Sequence, residues 1–564
     1  MAGTPHSERR RMGSWRATTL FLAVHLDALL QYPVAYLAAQ GWRLRGKRLR
    51  ARNRIAPLTG KSPRAYAYWT ARREPDQWEA QAPAPMSASA SITLAVDCRA
   101  NPELASATLR SLGVAGARTP VLMIGDDGMR DLIDAQTDLA LEWHADPASL
   151  LRALEGGPSQ WLCPVFAGDR LASGALDRYA AEIHKAGDAP LIYADDDLQG
   201  PRGERIEPHF KPKWNAELFR HHDFVSGAAA IRLAARPRDA SADWVRALVD
   251  CAIAETVHAP HHLPLVLHYR RRRPGPIPPQ RTPPPPRIDR AAARVTVIVP
   301  TRNQLALLRT CLEGVAACGY STFDCIVIDN DSEDAATLAY LADLAASGIA
   351  VLRFPGPFNF SAMNNAAARM ARGDYLCFLN NDIEMPAPGW LAPMVAQAQR
   401  ADVGAVGARL LYPDGSVQHA GVVLGVGGGA GHAHRYLPAG DPGYFDRARL
   451  PQFASAVTAA CLVVAREKFL AVGGFDETVF RVAFNDVDLC LKLNARGWQT
   501  LYEPRATLVH HESKSRGLDL TPAKRARFEG ELAALKTRWH TDRGSDPFHH
   551  PQLSRFSEQF VVHI

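Results

Sequence analysis

The feature that most limits how this chain can fold is an internal repetition. A proline-rich stretch at 274–286, with eight prolines in thirteen positions, divides the 564 residues. Such composition supports neither a helix nor an inner strand, and it reads as a stiff, extended linker. On its two sides the same order of short apolar runs recurs, about two hundred residues apart. ITLAV at 92–96 answers VTVIV at 295–299, VLMIGDDG at 121–128 answers CIVIDNDS at 325–332, and WLCPVFAGD at 161–169 answers YLCFLNND at 375–382. Between them lie stretches with Leu at three- and four-residue steps. Val/Ile runs alternating with helical stretches predict βαβ units, hence two tandem α/β domains, each on a mostly parallel sheet.

Composition allows this and narrows the partners. Hydrophobic residues make up 47% and charged residues 22% of the chain, enough to fill several cores and to exclude wholesale disorder. The nine cysteines lack metal-binding spacing, so reduced, buried thiols are expected. The net charge is +7, and residues 43–54 alone carry seven Lys/Arg and no acid. The remainder is close to neutral, which argues against nucleic acid as a partner. Just upstream, an apolar stretch at 18–40 is interrupted by His25, Asp27, Gln31 and Pro33. An Asp near the centre of a spanning helix costs about 2.5–3.5 kcal/mol. The stretch is therefore expected to lie on a membrane surface or pack on the protein, with Asp27 and Gln31 on its wet side. With the basic run after it, an anionic membrane surface is a candidate partner, and the expected location is cytoplasmic, peripheral on the inner face of the cytoplasmic membrane.

Ligands of open α/β sheets bind beyond the carboxyl ends of the strands. In the second copy those positions hold Thr301-Arg302-Asn303, Asp329-Asn330-Asp331-Ser332 and Asn380-Asn381-Asp382. A carboxylate after the second strand suits hydrogen bonds to a base or ribose, and one after a later strand suits a divalent cation on phosphates. Capping of helices and turns is the plain alternative at each site, and it accounts less well for three successive strand ends.

The longer motifs are VIVPTRN, IVIDNDS, FNFSAMNNAAARMARGDYLCFLNND, YPDGSVQHAG, GGFDE, NDVDLCLKL and HHESKSRG, in that order over 297–517. In these the chain resembles a family 2 glycosyltransferase of the GT-A fold, in particular the bacterial enzymes of rhamnosyl and O-antigen type that build surface polysaccharide. The resemblance implies two tandem, Rossmann-like GT-A domains. The second, at 293–517, would be complete and catalytic. The first, at 87–272, would be a degenerate copy, similar through YADDD, FKPKWN and HHLPLVLHYR. Around them would lie an N-terminal apolar and basic segment (1–86), the linker (273–292) and a C-terminal helical tail (518–564).

Roles follow from the resemblance position by position. Asp486 matches the second residue of the family's ED motif, the expected general base, with Asn485 in place of the usual acid. Asn380-Asn381-Asp382 stands where the family has its DxD metal motif, so Asp382 would bear the metal contact and Asn380, on the nucleotide-sugar side, a weaker ribose or water-mediated one. His510 matches the position that can complete the metal site, with His511 as the alternative. Asp329 would hold the nucleotide, together with Pro300, Thr301, Arg302, Asn303, Asn330, Asp331, Asn364 and Asn381. His419, Asp476, Asn485 and His511 are candidate acceptor or donor contacts. The implied cofactor is a divalent cation, Mg²⁺ or Mn²⁺, and the implied partners are a nucleotide-sugar donor and a glycan or lipid-linked acceptor. One base and no second carboxylate fits inversion at the anomeric carbon.

Asp486 and Asp488 are two apart and cannot share a helical face. Asp195-Asp196-Asp197 in the first copy reads as a surface acidic turn, with cation binding as the alternative, and the glycines of 425–431 as a mobile loop over the site. A sugar-phosphate nucleotidyltransferase is the competing enzyme class, disfavoured because VIVPTRNQ lacks glycine after the first strand. A non-catalytic nucleotide-sugar-binding scaffold is the competing non-enzyme.

Overall fold

The computed structural model describes residues 5–80, 92–117, 120–134, 137–154, 160–234, 237, 243–277, 293–512 and 521–564. Most of the proline-rich linker and the SKSRG end of the last motif lie outside the described residues.

The first domain contains β1 (Ile92–Asp97), β2 (Val121–Ile124), β3 (Leu141–His144), β4 (Trp161–Phe166), β5 (Arg170–Leu171), β6 (Leu191–Gln199), β7 (Arg205–His209), β8 (Ala229–Arg232) and β9 (His261–Arg270). They form a sheet in the order β3-β2-β1-β4-β8-β6-β9-β5, with β7 on β6. The second contains β10 (Val295–Thr301), β11 (Phe323–Asp329), β12 (Ala350–Arg353), β13 (Tyr375–Leu379), β14 (Ile383–Glu384), β15 (Val403–Leu411), β16 (Val417–His419), a β17 (Val422–Leu424) and β18 (Ala430–His432) hairpin, β19 (Gln452–Ala454), β20 (Cys461–Ala465) and β21 (Gln499–His510). Its order is β12-β11-β10-β13-β20-β15-β21-β14, with β16 on β15 and β19 on β21. Strand for strand the two orders coincide, and the hairpin and β19 are additions of the second domain.

The sheets are mixed rather than mostly parallel. β10 pairs parallel with β11 and β13, whereas β20 runs antiparallel to both β13 and β15. The same inversion occurs at β8, between β4 and β6. A parallel neighbour requires a crossover, usually a helix. The βαβ alternation keeps the first side of each sheet parallel, and on the other side β8 and β20 reverse while β6 with β9 and β15 with β21 still pair parallel. Each sheet is covered on both faces, as the near-continuous apolar strands require. In β10, whose seven residues are all buried, Val295, Val297 and Val299 enter one core and Ile298 the opposite one, following the strand's period of two.

Ahead of the sheets stand helices α1 (Pro5–Gln31), α2 (Pro33–Leu44), α3 (Arg48–Gly60) and α4 (Ala65–Arg72). The apolar stretch is not one helix. Pro33, which has no N–H to donate, opens α2, and the chain bends by 118° there. No single helix among the described residues is long and apolar enough to cross a membrane. Asp27 is not on a wet face: its carboxylate accepts from Ser62 Oγ and pairs with Arg64 Nη1, both at 2.5 Å. Trp69 on α4 is fully buried and donates from Nε1 to Gln552 Oε1 at 2.8 Å. Around it, one apolar cluster joins Phe210 and Val266 of the first domain, Val423 and Val426 of the second, and Leu553 and Phe560 near the C-terminus.

The acidic run of the first copy is not a surface turn. Asp195, Asp196 and Asp197 lie on β6, fully buried. Asp195 meets His262 and His550, each at 2.9 Å, Asp196 meets Lys211 at 2.7 Å and Arg273 at 2.5 Å, and Asp197 meets Arg205 at 2.5 Å. Buried charges persist only where partners answer them.

The two sheet domains are tied by Asn215, which donates from Nδ2 to Phe453 O at 2.9 Å and accepts from Phe453 N at 3.1 Å. They are tied again by Glu217 and Arg400, 2.6 Å apart. Burial opposes ionisation of Glu217, but His221, Arg400 and Arg220 bring its carboxyl down from 4.5 to about 2. Because the folded value lies below the unfolded one, the tie is fully present above about pH 5 and is lost as pH falls toward 2. Acidification through this window is predicted to lower stability through this group by on the order of 3 kcal/mol. Glu217→Gln should remove that part of the pH dependence. Denaturant titrations of both proteins at neutral and acidic pH measure it, and equal acid sensitivity would contradict the prediction.

Candidate active site

At the carboxyl ends of the second sheet lies a cleft of about 490 Å³. It is lined by Pro300, Thr301 and Arg302 after β10, by Asn380, Asn381 and Asp382 after β13, by Thr458, Ala459 and Ala460 before β20, by Asn485 and Asp486, and by His510 and Glu512 at the end of β21. Such a volume is ordinary for a small-ligand site. Nine of the residues expected from the sequence therefore share one cavity.

Asp382 and His510 are 128 positions apart and meet through strand pairing, because β14 runs antiparallel to β21 with Ile383 opposite His510. The His510 Nε2 atom lies 3.1 Å from Asp382 Oδ1. The other ring nitrogen, Nδ1, faces Gln418 Oε1 at 2.7 Å, and Gln418 in turn donates from Nε2 to Glu512 Oε2 at 3.1 Å. An acceptor facing Nδ1 puts the proton there and leaves Nε2 with a lone pair toward the carboxylate. Asn380 Nδ2 also approaches Nε2, at 3.4 Å. One carboxylate oxygen and one imidazole nitrogen, the latter oriented by an outer hydrogen bond, form a donor pair that fits a divalent transition ion. His511 turns away, as the next residue of a strand must. Its Nε2 lies 2.8 Å from Glu384 Oε2.

Asp486 stands in the first turn of the helix Asn485–Ala495. Its carboxylate accepts from Ala459 N at 3.1 Å and Val487 N at 2.9 Å. Burial pushes its carboxyl above the ordinary range, and these hydrogen bonds oppose the shift. The side chain is recessed yet reaches the cleft, the setting of a group that can hold or yield a proton there. Asp488 leaves the opposite side of the helix, fully buried, and receives Arg538 Nη1 and Trp539 Nε1, each at 2.9 Å.

The remaining expected residues lie outside the lining. Asn303, with a left-handed φ of 55°, accepts from Glu333 N and Asp334 N. Asp329 accepts from Ser332 N at 3.0 Å, Asn330 donates to Phe354 O and Gly356 O, and Asp331 accepts from Gly356 N. These four shape the loops behind the cleft wall. Asn364 is buried and donates to Phe360 O within its helix. His419 is buried against His432, with Nδ1 atoms 2.7 Å apart. Burial, with the His432 and His510 rings nearby, holds it well below its ordinary value, so it is neutral. Asp476 pairs with Arg538 at 2.9 Å.

Two lining groups, Lys524 and Arg527, and Gln418 behind His510 were not singled out in the sequence. Lys524 and Arg527 come from the tail helix Pro522–Trp539, on one face at a spacing of three. That helix is held by Arg538 on Asp488 and by Glu531, which accepts from Val482 N and Ala483 N beside the Asp486 helix. Gln418 neighbours the His419 that drew attention, and strand alternation sends the two to opposite faces. The 425–431 glycines are not a loop over this cleft. They continue the β17–β18 hairpin and pack on the tail, where a Cβ at Gly429 would meet Leu532 at 2.5 Å.

Residues 296–427, within the second sheet domain, match the family model described as Glycosyl transferase family 2. Over 516 residues the chain is 36% identical to the uncharacterized protein y4gI of Sinorhizobium fredii (strain NBRC 101917 / NGR234), covering 84% of this chain and 55% of that one. Over 440 residues it is 33% identical to the O-antigen biosynthesis protein RfbC of Myxococcus xanthus, covering 68% of this chain and 33% of that one. The chain thus spans about half the length of the first relative and a third of the second. Among solved structures, the mannosyltransferase PcManGT from Pyrobaculum calidifontis, in complex with GDP-Man and Mn²⁺, is similar at a TM-score of 0.34 and 20% identity. That match covers 46% of this chain and 68% of the other.

The Gln418–His510 contact generates a test. Gln418→Leu, which keeps the volume but not the acceptor, is expected to weaken Mn²⁺ binding about 10–100-fold. Titration of Mn²⁺ by electron paramagnetic resonance measures this, and unchanged affinity would remove Gln418 from the site.

Proposed function

We propose that the chain is an inverting glycosyltransferase that moves a sugar from a nucleotide-sugar donor to a hydroxyl of a glycan or lipid-linked acceptor in cell-surface polysaccharide synthesis. The observation that carries the proposal is the convergence of Asp382, His510 and Asp486 on one cleft, with Asp382 inside the region that matches the family model and the other two beyond it. The O-antigen biosynthesis protein among the relatives supports the polysaccharide setting.

Asp486 is the base. An alcohol is a poor nucleophile at neutral pH, and a carboxylate within hydrogen-bond reach takes its proton as the new bond forms. Burial raises the affinity of Asp486 for that proton, while the N–H groups of Ala459 and Val487 hold its orientation. Asp382 and His510 would hold a divalent cation, and the imidazole favours Mn²⁺ over Mg²⁺. When bound, that cation offsets the negative charge that builds on the departing nucleoside diphosphate. Lys524 and Arg527 add fixed positive charge to the same cleft. With Asp486 as the one assigned base and Asp382 assigned to the cation, direct displacement with inversion is the reaction course.

The first copy is read as non-catalytic. At the place of Asp382, Asp169 receives Arg271 N at 2.7 Å and lies 3.9 Å from Arg270 Nε. Asp97, at the end of β1, is taken by Arg99 and by Trp244 Nε1 at 3.0 Å. Protein cations and donors thus answer the carboxylates that would otherwise face a ligand. This domain is a structural partner, and an anionic membrane surface is the proposed location of the whole.

Asp486→Asn is expected to lower kcat by about 10²–10⁴-fold without loss of stability, since it removes a charge that burial disfavours. In the intact enzyme the acid limb of the kcat profile should lie above the ordinary Asp range, because turnover is lost as Asp486 is protonated. Nucleoside diphosphate release from UDP-, dTDP- and GDP-sugars reads both. Full turnover by the variant would refute the assignment.

A further inference from the structure

One three-residue strand reaches both halves of the site. On β16, Gln418 faces the His510 ring, and the next residue, His419, leaves the opposite face of the strand. His419 is fully buried, sits opposite Leu410 of β15 and lies outside the cleft lining. It meets the cleft wall from behind: Thr458 N donates to His419 Nε2 at 3.4 Å.

The turn that Thr458 opens serves the base and the cation motif together. Ala459 N donates to Asp486 Oδ2 at 3.1 Å, and the Thr458 side chain also hydrogen-bonds the Asp486 carboxylate. Ala460 O accepts from Asn380 N at 3.0 Å. Three successive residues thus meet His419, Asp486 and the loop that carries Asp382. Peptide planes are rigid and only two dihedrals separate one from the next, so fixing the Thr458 N–H restricts where the Ala459 N–H points.

The imidazole is itself held in place. Because Nε2 accepts, the neutral ring carries its proton on Nδ1. That atom lies 2.7 Å from Nδ1 of His432, on the β17–β18 hairpin. His432 accepts there and bears its own proton on Nε2. Burial, with His510 near both rings and Arg435 near His432, keeps the pair uncharged, His432 being pulled down to about 3. A protonated His419 would present N–H to N–H at Thr458, so the contact requires this neutral state.

We propose that His419 is a positioning residue for the base: backed by His432, it holds the Thr458–Ala460 turn, and through that turn it orients the Asp486 carboxylate and keeps it ionised. The inference rests on the glycosyl-transfer reading and deepens it at the same site. Cys490, a thiol near Asp486, is pushed up to about 12 by burial and stays protonated through the range in which the carboxyl titrates.

Two measurements on the full-length protein test it. The Asp486 carboxyl is titrated by carbon-13 resonance in protein labelled at the aspartate carboxyl, with Asp486→Asn identifying the signal. The kcat profile against pH is read by nucleoside diphosphate release. His419→Phe keeps a flat ring and removes the acceptor. It is expected to raise the carboxyl titration and the acid limb of kcat together by about one pH unit, since a hydrogen bond to the charged form is weakened. It should lower kcat about tenfold while leaving the affinity for Mn²⁺ and nucleoside diphosphate unchanged. His419→Gln, whose Oε1 takes the place of Nε2, should return the titration toward that of the intact protein. His432→Leu, which removes the support of the ring, should move Asp486 in the same direction as His419→Phe, and it decides the matter if His419→Phe does not fold. An Asp486 titration that is the same in the folded variants and the intact protein overturns the proposal. So does a loss of kcat in His419→Phe with the acid limb unmoved, which would make His419 a packing residue only. The carboxyl titration needs no turnover, so it stands if the glycosyl-transfer reading fails, and nucleoside diphosphate release upholds that reading if the titration does not move.

Discussion

The pairing of a two-residue strand with the end of a twelve-residue one governs the chemistry of this molecule. β14 follows Asp382 at once, and its antiparallel register on β21 sets Ile383 against His510. A slip of one residue would send His511 to the site and His510 to Glu384, because successive strand residues face opposite ways. The register is held on both sides: β21 is also paired along β15, and Gln418 on β16, itself hydrogen-bonded to Glu512, fixes the ring. A donor pair that fits a cation is thus assembled from segments that are remote in the chain.

The second requirement is that the buried acids have partners. Asp196, Asp197, Glu217, Asp488 and Glu531 are all buried and each meets a cation or a pair of N–H groups from a distant segment. Breaking one such pair costs far more than its net contribution to stability, so each acts as a fastening between parts of the fold. Asp488 and Glu531 fasten the tail helix against the Asp486 helix, and this delivers Lys524 and Arg527 to the cleft. Asp486 is the exception. It meets only N–H groups and a hydroxyl rather than a cation, and burial pushes its carboxyl above the usual range.

Much of this was legible in the residues. The duplicated strands were visible because buried strands write continuous Val/Ile runs, and the turn after each marks the cleft. The parity that separates Asp486 from Asp488 was readable from helical spacing. The antiparallel pairings within the sheets were not, since pairing direction depends on connections that periodicity does not report. Asp27 looked solvated because its partners, Ser62 and Arg64, lie far along the chain, and Asp195–Asp197 looked like a turn because an acidic run is rarely buried without remote cations. Gln418, Lys524 and Arg527 escaped notice for the same reason: their roles arise from tertiary contacts, and nothing local distinguishes them from ordinary polar residues.

The central claim, that Asp382 and His510 hold a cation in the cleft that also contains Asp486, has a direct test. Crystals of the full-length protein grown with Mn²⁺ and a nucleoside diphosphate can be measured at the manganese absorption edge. The account predicts an anomalous peak within bonding distance of Asp382 and His510 Nε2, with the diphosphate beside it and Asp486 across the same cleft. A peak at the buried Asp195, His262 and His550 cluster instead, or a diphosphate bound with no ion at Asp382, would contradict it.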